Sequence, residues 1–398
     1  MSVVMISTEI TRRWTRCSRS RSFGSATFRG ASGSIRCRRR GAGDCWLTGR
    51  TVSIRKLGGA RAGADGCLRV MDITRFGPDD AAALQAWVDI SNAVQHADAP
   101  WEHGTTLLRT EARFRHGWDG EPAVPYLARV DGTVVGGGSL SISEYDNLHL
   151  AWFDVMVHPD HRRQGYGSAI LSFLEDEARS LGRTSAGIGG WESDATRGFA
   201  QRHGYEKKHQ AINRRQYLAD VDRTELDKRY DEALPYAADY VLERLRLPTP
   251  DDQLDEMAEM TSAINDAPTD DLDIEDEVFN AERIKGYEAA CEARKERAYR
   301  VVARHVPTGQ LAGQTVVVVE SERPTLGDQH DTSVVGSHRG HRLGLLLKVD
   351  MLRWLAEAEP QVEMVDTFNA ESNDHMIGVN EALGYRIMGR ELAFQKSL

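Results

Sequence analysis

One stretch of the sequence decides the fold: residues 154–167, DVMVHPDHRRQGYG, together with the helix predicted to follow them. The first four residues are predicted to end a strand, and apolar residues at helical spacing follow the glycines, at Ile170, Leu171 and Leu174. Between a strand and a helix start, unpaired backbone N–H groups point at one place, where the helix dipole favours negative charge. Glycines allow close approach of an anion because they carry no Cβ. The stretch therefore predicts an anion pocket.

Charge is distributed unevenly along the 398 residues. Residues 1–70 hold 15 of the 50 Lys and Arg residues and only three acids, a net charge of +12. The remainder has 35 basic and 57 acidic residues, a net charge of −22. Because residues 1–70 also lack apolar periodicity, we expect a disordered extension, with Met71 as the natural first residue. A nucleic-acid-binding arm and an organellar transit peptide are the alternatives.

The composition of the remaining chain excludes several classes of protein. No apolar run approaches the roughly 20 residues that a transmembrane helix needs, so we expect no membrane association. Only Cys291 lies beyond residue 70, which argues against a disulfide framework and suits the cytoplasm. An acidic body repels phosphates, so no nucleic-acid partner is expected.

The second part of the chain repeats the first. Several short motifs recur in the same order, roughly 170–180 residues apart. They are Pro78-Asp79-Asp80 and Pro250-Asp251-Asp252, Asp98-Ala99-Pro100 and Asp266-Ala267-Pro268, Glu192-Ser193 and Glu371-Ser372, and Gly204-Tyr205 and Gly384-Tyr385. We therefore predict a tandem duplication, with an N-terminal domain over residues 71–220, a linker over 221–240 and a C-terminal domain over 241–398.

The motif Arg162-x-x-Gly165-x-Gly167 indicates which anion the pocket binds. It lacks the Gly-Lys-Ser/Thr ending of an ATP-type phosphate loop, and Ile170 stands where a dinucleotide-binding motif has its third glycine. It resembles the Arg/Gln-x-x-Gly-x-Gly/Ala signature for acyl-CoA in the GNAT (GCN5-related) N-acetyltransferase superfamily. The resemblance implies an α/β fold of two tandem GNAT-like domains, each with a mixed central sheet flanked by helices, similar in plan to mycothiol synthase.

The resemblance also implies where acetyl-CoA binds. The strand ending at Val157 would bulge and splay from its neighbour, so that backbone groups of Val155 and Val157 pair with the pantetheine arm. The amides from Arg162 to Ser168 would hold the pyrophosphate. The candidate cofactor-binding residues are Val155, Met156, Val157, Arg162, Arg163, Gln164, Gly165, Tyr166, Gly167 and Ser168.

The corresponding loop of the second domain is altered. When Val334 is aligned with Val157, Arg342 stands in place of the first glycine. Its side chain either contributes charge to a phosphate or fills the loop. We expect the first domain to be active and the second to be structural or to shape the acceptor site. The second domain's candidate cofactor residues are Val334, Arg339, Gly340, Arg342, Gly344 and Asn373.

The catalytic groups are less evident. The resemblance places a tyrosine acid four residues before the Gly-Tyr turn, but Ala200 and Asn380 occupy those positions. Asp154 is the candidate base because it is expected beside the acyl group, and a purely structural carboxylate is the alternative. Further candidates for contact with the acceptor are Glu102, His103, Glu144 and Tyr145.

Together these features predict an enzyme that transfers an acetyl group from acetyl-CoA directly to a small primary amine, mainly through the N-terminal domain. The acidic body favours a cationic acceptor. The alternatives are a non-catalytic acyl-CoA sensor or scaffold, and a mycothiol-synthase-like acetylation of an amine on a thiol-bearing sugar conjugate. No metal is expected, because His158 and His161 lie in a predicted loop without a third ligand. The sequence leaves the acceptor and the oligomeric state open.

Overall fold

The computed structural model describes residues 50–54 and 69–398 of the chain. In this part, thirteen strands form a single mixed sheet with nine α-helices packed around it. The strands are β1 Arg50–Ile54, β2 Arg69–Arg75, β3 Val124–Val130, β4 Thr133–Ile142, β5 Leu150–Val157, β6 Ser185–Trp191, β7 Glu206–Tyr217, β8 Tyr240–Arg246, β9 Arg297–His305, β10 Leu311–Val319, β11 Leu326–Val334, β12 Met364–Ala370 and β13 Arg386–Ser397. The helices are α1 Ala81–Asp98, α2 Leu107–His116, α3 Tyr166–Ser180, α4 Asp194–Arg202, α5 Arg223–Ala233, α6 Leu254–Thr261, α7 Ala281–Ala293, α8 Leu343–Ala358 and α9 Asp374–Ala382.

Regular structure begins upstream of Met71, where the sequence analysis placed its start. β1 pairs antiparallel with β2, and β2 itself begins at Arg69. Within the predicted extension, at least residues 50–54 are therefore part of the sheet. The rest of that prediction, for residues 1–49 and 55–68, lies outside the described residues.

The segment predicted as a linker, residues 221–240, contains a helix. Asp222 caps α5 by accepting a hydrogen bond from the amide of Glu225, at 3.1 Å. The helix buries Leu226 and Ala233 in the core of the second part of the chain. An ion pair between Arg353 and Asp227, at 2.6 Å, connects it to α8. Burial of two apolar side chains gives this segment a fixed position rather than that of a flexible connection.

The two repeats exchange their last strands. The strand order is β1-β2-β3-β4-β5-β6-β13-β7-β12-β11-β10-β9-β8, so β13 lies between β6 and β7. β13 pairs antiparallel with β6, and β7 pairs antiparallel with β12. We call residues 69–220 the N-terminal half and residues 221–398 the C-terminal half. Each half therefore borrows the strand that completes its sheet from the other half.

Each half has its own apolar core beneath its main helix. In the N-terminal half, Ile170, Leu171 and Leu174 of α3 are fully buried, which confirms the helix predicted from their spacing. In the C-terminal half, α8 buries Leu347, Val349 and Leu355 in the same way. Both helices follow the loops that the sequence analysis singled out, so the cores hold the two loops at equivalent places.

In each half, two neighbouring parallel strands are paired at one end and separate towards the other. β5 and β6 pair only from Leu150 with Ser185 to Phe153 with Ile188, and β11 and β12 pair only as far as Gln329 with Thr367. We call the openings beyond these pairs the first gap and the second gap. The splay expected of β5 is thus present, but the expected bulge is not, since β4 and β5 keep one register from Gly136 to Ile142. Of the two splayed strands β5 and β11, it is β11 that carries a register shift in its antiparallel pairing, around His330 and Asp331.

Candidate active site

Backbone groups of β5 face the first gap at alternate residues. The amide of His158 bonds to Val135 O at 3.0 Å, which makes these two residues a hydrogen-bonded pair of the β4–β5 ladder. Hydrogen-bonded pairs alternate along an antiparallel ladder, so the backbone groups of Val155 and Val157 point away from β4. They lie beyond the last β5–β6 pair, at the place where an extended ligand can add to a strand edge.

The loop from Arg162 to Ser168 has the backbone expected of an anion site. Arg163 and Gly165 adopt left-handed conformations, with φ of 62° and 87°. The first amide to bond within α3 is that of Ala169, which donates to Gly165 O at 3.2 Å. The amides of Gly167 and Ser168 precede it in the first turn, where a helix offers no internal acceptors. This arrangement of turn and helix start suits a phosphate group.

Several of the candidate cofactor-binding side chains in this region pack against other residues and do not point into the first gap. Arg162 makes a bidentate ion pair with Asp98, at 2.7 and 2.8 Å, and its Nε lies 3.3 Å from Val157 O. Tyr166 is buried in the core, and Met156 packs against the cluster that contains Phe76. These residues shape the loop and the strand, so any contact with the cofactor involves their backbone.

The second loop reproduces the first with one exchange. Its left-handed residues are Gly340, with φ of 86°, and Arg342, with φ of 57°, at the positions of Arg163 and Gly165. Arg339 pairs with Asp266 at 2.6 Å, as Arg162 pairs with Asp98. The guanidinium of Arg342 stacks on the Tyr236 ring, 3.9 Å from its centre. The second loop therefore keeps the backbone of the first although the glycine has moved.

Asp154 lies beside the first gap, with its carboxylate held by two neighbours. Its Oδ2 accepts hydrogen bonds from Arg113 Nη2 at 2.5 Å and from Ser139 Oγ at 2.6 Å. The Arg113 and Asp154 side chains are each about one third exposed. This geometry fits a carboxylate that positions α2 against the sheet, and it also leaves Asp154 at the wall of the cavity described next.

A cavity of about 430 Å³ opens beside the first gap, and we call it the acceptor cavity. Both halves form its wall. The N-terminal half contributes His103, Arg113, Trp152, Asp154 and Gly189, and the C-terminal half contributes Arg294, Arg323, Glu391, Leu392 and Ala393. Of the four acceptor contacts expected from the sequence, His103 lines the cavity, whereas Glu144 and Tyr145 do not.

Two carboxylates near the acceptor cavity have strongly raised pKa values. Burial raises the pKa of Glu391 to about 8, and the charges of Glu102 and Asp154 add to the effect. Burial and the charge of Asp366 raise the pKa of Glu102 to about 7. The Oε1 atom of Glu102 is buried and has no hydrogen-bond partner among the described residues. The site therefore has acid groups that exchange protons near neutral pH.

Glu391 was missed by the sequence analysis because it belongs to the other half. It lies on β13, opposite Trp191 of β6, and a Cβ built on Gly189 would be 3.4 Å from its Oε1 atom. No motif surrounds it, and only the strand exchange brings it to the first gap.

The C-terminal half has no equivalent of this carboxylate. β12 is the equivalent of β6 in the second repeat, and aligned residues of the two strands differ by 179 in number. Ala370 therefore corresponds to Trp191. Ala370 pairs with Ala211 of β7, so an alanine stands where the first gap has Glu391. Phe368 similarly occupies the position of Gly189. The two gaps are therefore chemically different.

A tandem sheet with two splayed strand pairs, each followed by a loop and a helix start, defines a tandem α/β fold with two candidate anion sites. Residues 87–205 match the Acetyltransferase (GNAT) family. A tandem GNAT protein from the clavulanic acid biosynthesis pathway is 25% identical, with a TM-score of 0.68 over 82% of this chain and 98% of that chain. Residues 87–205 thus form a GNAT acetyltransferase domain, and the chain shares the fold of a tandem GNAT protein.

Two further similarities extend this result. A mycothiol acetyltransferase of Stackebrandtia nassauensis is 30% identical over 148 residues, 36% of this chain. The match spans only 46% of that protein, about half its length. A GCN5-related N-acetyltransferase of Sphaerobacter thermophilus has a TM-score of 0.57 at 15% identity, over 82% of this chain and 95% of that chain, and supports the fold alone.

None of the helices in residues 50–54 and 69–398 is both long and apolar enough to cross a membrane. In the same residues, no group of three or more His, Cys, Asp or Glu side chains could hold a metal ion. His158 and His161 lie with their ring centres 5.6 Å apart.

Proposed function

We propose that the N-terminal half transfers an acetyl group from acetyl-CoA to a small primary amine, with Glu391 of the exchanged strand as the base. The observation that carries the proposal is the acceptor cavity, which joins the first gap to a carboxylate of raised pKa. GNAT enzymes use acetyl-CoA as donor, and the backbone of Val155 and Val157 and the loop at Gly165 suit its pantetheine and pyrophosphate.

The acceptor must lose a proton before or during its attack on the thioester. An amine enters the cavity as an ammonium ion, which Asp154 and the deprotonated fractions of Glu102 and Glu391 attract. Glu391 takes the proton, the nitrogen forms a bond to the carbonyl carbon, and the carbon–sulfur bond breaks. A base with a pKa of about 8 combines a useful deprotonated fraction near neutral pH with enough basicity to accept the proton.

Asp154 remains the second candidate for the base. Its Oδ2 atom already accepts hydrogen bonds from Arg113 and Ser139, which hold the carboxylate between α2 and β4. Glu391 has no such hydrogen bond from a described residue. We therefore assign Asp154 to the positioning of α2 and Glu391 to proton transfer.

The departing thiolate has no tyrosine to protonate it in this half. Ala200 occupies the expected place and is buried in the core. A thiol has a pKa near 8.5, so its anion is a tolerable leaving group that can take its proton from water or from the protonated Glu391. The first gap therefore needs a base more than it needs an acid.

The preference for a cationic amine rests on the acidic composition of residues 71–398, since the wall of the acceptor cavity carries Arg109, Arg113, Arg294 and Arg323 against Asp154 and Glu391. Two other candidates have support. Similarity to a mycothiol acetyltransferase over 148 residues favours an amine on a thiol-bearing sugar. The absence of the tyrosine at Ala200 and the altered loop at Arg342 favour an acyl-CoA sensor without turnover. An amine panel that includes an aminosugar thiol separates the first two acceptors.

Release of free thiol from acetyl-CoA, measured over such a panel, tests the proposal. We expect turnover by the wild type, and a loss of activity in Glu391→Gln with CoA affinity retained. Gly165→Trp should weaken CoA binding itself, because a side chain at φ of 87° is strained and blocks the loop. Saturable CoA binding without turnover on any amine would support the sensor. Turnover that survives Gly165→Trp unchanged would exclude the N-terminal half as the active one.

A further inference from the structure

Two arginines of α2 line the acceptor cavity, and the proposed reaction uses neither of them. Arg109 and Arg113 are four residues apart, so they lie on the same face of the helix. Their side chains are 27% and 34% exposed. Arg113 donates to Asp154, whereas Arg109 contacts carboxylates of the C-terminal half through Nη1. In the described part of the chain, this leaves Nε and Nη2 of Arg109 for a ligand, and a carboxylate can accept two hydrogen bonds from that edge of a guanidinium.

Arg109 belongs to a network in which three arginines share two carboxylates. Its Nη1 atom bonds to Oε1 of Glu320 and lies 3.4 Å from Oε1 of Glu296. Glu320 also accepts from Nε of Arg323 at 2.6 Å, and Glu296 accepts from Nε of Arg294 at 2.9 Å. All three arginines line the cavity, whereas the two glutamates are buried outside its wall. Contacts among the described residues therefore leave one positive charge of this arginine network without a carboxylate.

The equivalent arginine of the C-terminal half has a full set of carboxylate partners. Arg109 and Arg283 each donate their backbone N–H to the residue that caps their helix, which marks them as equivalent positions of α2 and α7. Arg283 is only 7% exposed and contacts three carboxylates, those of Asp119, of Asp146 at 2.8 Å and of Glu277 at 3.3 Å. An anion bound in the acceptor cavity would take the place beside Arg109 that protein carboxylates take around Arg283.

Neighbouring carboxylates do not supply the missing charge. Burial raises the pKa of Glu391 to about 8 and that of Glu102 to about 7, so much of their charge is absent at neutral pH. Burial also opposes the ionisation of Asp328, but the neighbouring His330 outweighs it and lowers its pKa, and the charge of Arg109 adds to this effect. The direct partner of Asp328 is thus His330, with 3.6 Å between Oδ2 and Nε2. The arginine network therefore stays one carboxylate short at neutral pH.

The missing partner matches a group with a single negative charge. A carboxylate carries one charge and presents two oxygens to the Nε and Nη2 edge, whereas a phosphate group brings nearly two charges at neutral pH. The acceptor cavity, of about 430 Å³, has the size of a small-molecule site. It offers Arg109 to an anion, and Asp154 and Glu391 to an amine. The wall therefore suits a ligand that carries both groups.

We propose that the acceptor at the first gap is an amino acid or a related amine, whose carboxylate binds Arg109 while its amine faces Glu391. The proposal rests on the proposed function and narrows its acceptor from any small primary amine to one that carries a carboxylate. Holding the acceptor at both ends directs its nitrogen towards the thioester, which lowers the entropic cost of the attack. The uncompensated charge of the network repels polyamines. Arg109 thus determines specificity and takes no part in proton transfer.

Binding of reaction products tests the carboxylate site without turnover. N-acetylglycine, N-acetylalanine and N-acetylphenylalanine differ from their primary amides only in the carboxylate, and none of them carries an ammonium group. Calorimetric titration of the wild-type chain saturated with CoA should show at least one acid that binds at least tenfold more tightly than its amide. Equal affinity of acid and amide in every pair, or no binding of any acid, would overturn the proposal.

Two substitutions in the network should move this preference in opposite directions. Arg109→Gln should abolish the preference for acids, and each glutamate keeps one arginine, so the chain should fold. Glu320→Gln removes a negative charge and should strengthen the preference. Both changes break the same contact between the halves, so a network that only joins the halves would leave the preference unchanged in both variants. That result, or a shift in the same direction in both, would contradict the assignment.

An arginine of the same helix provides the matched control. Arg115 pairs with Asp79 and Glu111 and lies outside the cavity wall. Arg115→Gln should therefore keep the preference of the wild type, and a melting curve of each variant verifies that it folds. A loss of preference in Arg115→Gln equal to that in Arg109→Gln would refute a specific role of Arg109.

Turnover separates this inference from the proposed function. Thiol release with an amino acid and with its amide gives a ratio of kcat/KM values, and comparison of this ratio between variant and wild type cancels the ionisation of the amines. Arg109→Gln should lower the ratio at least tenfold. Arg109→Lys should restore part of it, because an ammonium keeps the charge but not the fork geometry. Thiol release without a preference for acids would overturn this inference and leave the reaction at the first gap standing. Selective binding of acids without thiol release on any acceptor would refute that reaction and support the carboxylate site.

Discussion

Replacement of Glu391 by Gln is the sharpest probe of the proposed reaction, because it removes one proton-accepting group and preserves size. General bases typically contribute about 10²–10⁴-fold to the rate. We expect kcat/KM for the amine to fall by about that factor. The affinity for CoA should stay within about twofold, since Glu391 faces the acceptor cavity and not the loop at Gly165.

The pH dependence carries a second signature. Burial holds Glu391 protonated below about pH 8, so the active carboxylate form is lost as pH falls through that value. At pH 7 about one tenth of the groups would be deprotonated, so kcat/KM attributable to Glu391 should rise about tenfold between pH 7 and pH 9. Dividing wild-type by variant rates for one amine cancels the ionisation of the amine itself. The ratio should follow a single ionisation near pH 8.

A neighbour provides the matched control. The charge of Glu102 is one of the causes that raise the pKa of Glu391. Glu102→Gln should therefore move the rise in activity to lower pH while the plateau persists. If Glu391→Gln retains the wild-type profile, the assignment of Glu391 is wrong. If Asp154→Asn abolishes the rise and Glu391→Gln does not, Asp154 is the base.

Three further changes test the energetics of the two gaps. Gly189→Phe copies Phe368, and its ring should fill the acceptor cavity and raise KM for the amine while CoA binding is unchanged; an unaltered KM would place the acceptor elsewhere. Lys348→Leu should stabilise the fold by up to about 5 kcal/mol at pH 6, because the lowered pKa of the lysine costs stability most below about pH 7. That difference in melting temperature should shrink between pH 7 and pH 10, and a constant difference would contradict it. Arg215→Ala should lower the free energy of unfolding, measured with denaturant, by about 3–5 kcal/mol. The reason is that Asp366 stays buried without the arginine whose guanidinium donates to it at 2.6 and 2.7 Å. A decrease below about 1 kcal/mol would show that the pair is solvated.

Local sequence patterns predicted much of the architecture. The apolar spacing from Ile170 to Leu174 and the repeated motifs are each set by residues close in sequence. The loop between Arg162 and Ser168 was recognised for the same reason. Even its altered copy keeps the two left-handed residues, although the glycine has moved from the position of Gly165 to that of Arg163.

Other expectations from the sequence differ from the structure where contacts between distant parts of the chain determine the local conformation. The sequence predicted a bulge in β5, but the register shift lies in β11, because pairing with β10 there leaves His330 and Asp331 opposite one residue. The segment predicted as a linker forms α5, because two of its side chains find a core on α8. The strand at residues 50–54 is part of the sheet because β2 offers it an edge.

The sequence by itself determined the duplication and the position of the loop at Gly165, since both follow from motifs of a few residues, and the resemblance of that loop to the GNAT signature implied the α/β class and the tandem plan. Only the tertiary structure decided that β7 and β13 change places, because antiparallel strands of similar length can pair on either side and sequence patterns do not encode the choice. That exchange brings Glu391 to the first gap and leaves Ala211 at the second. The chemistry of each site is therefore set by a strand encoded in the other half of the chain.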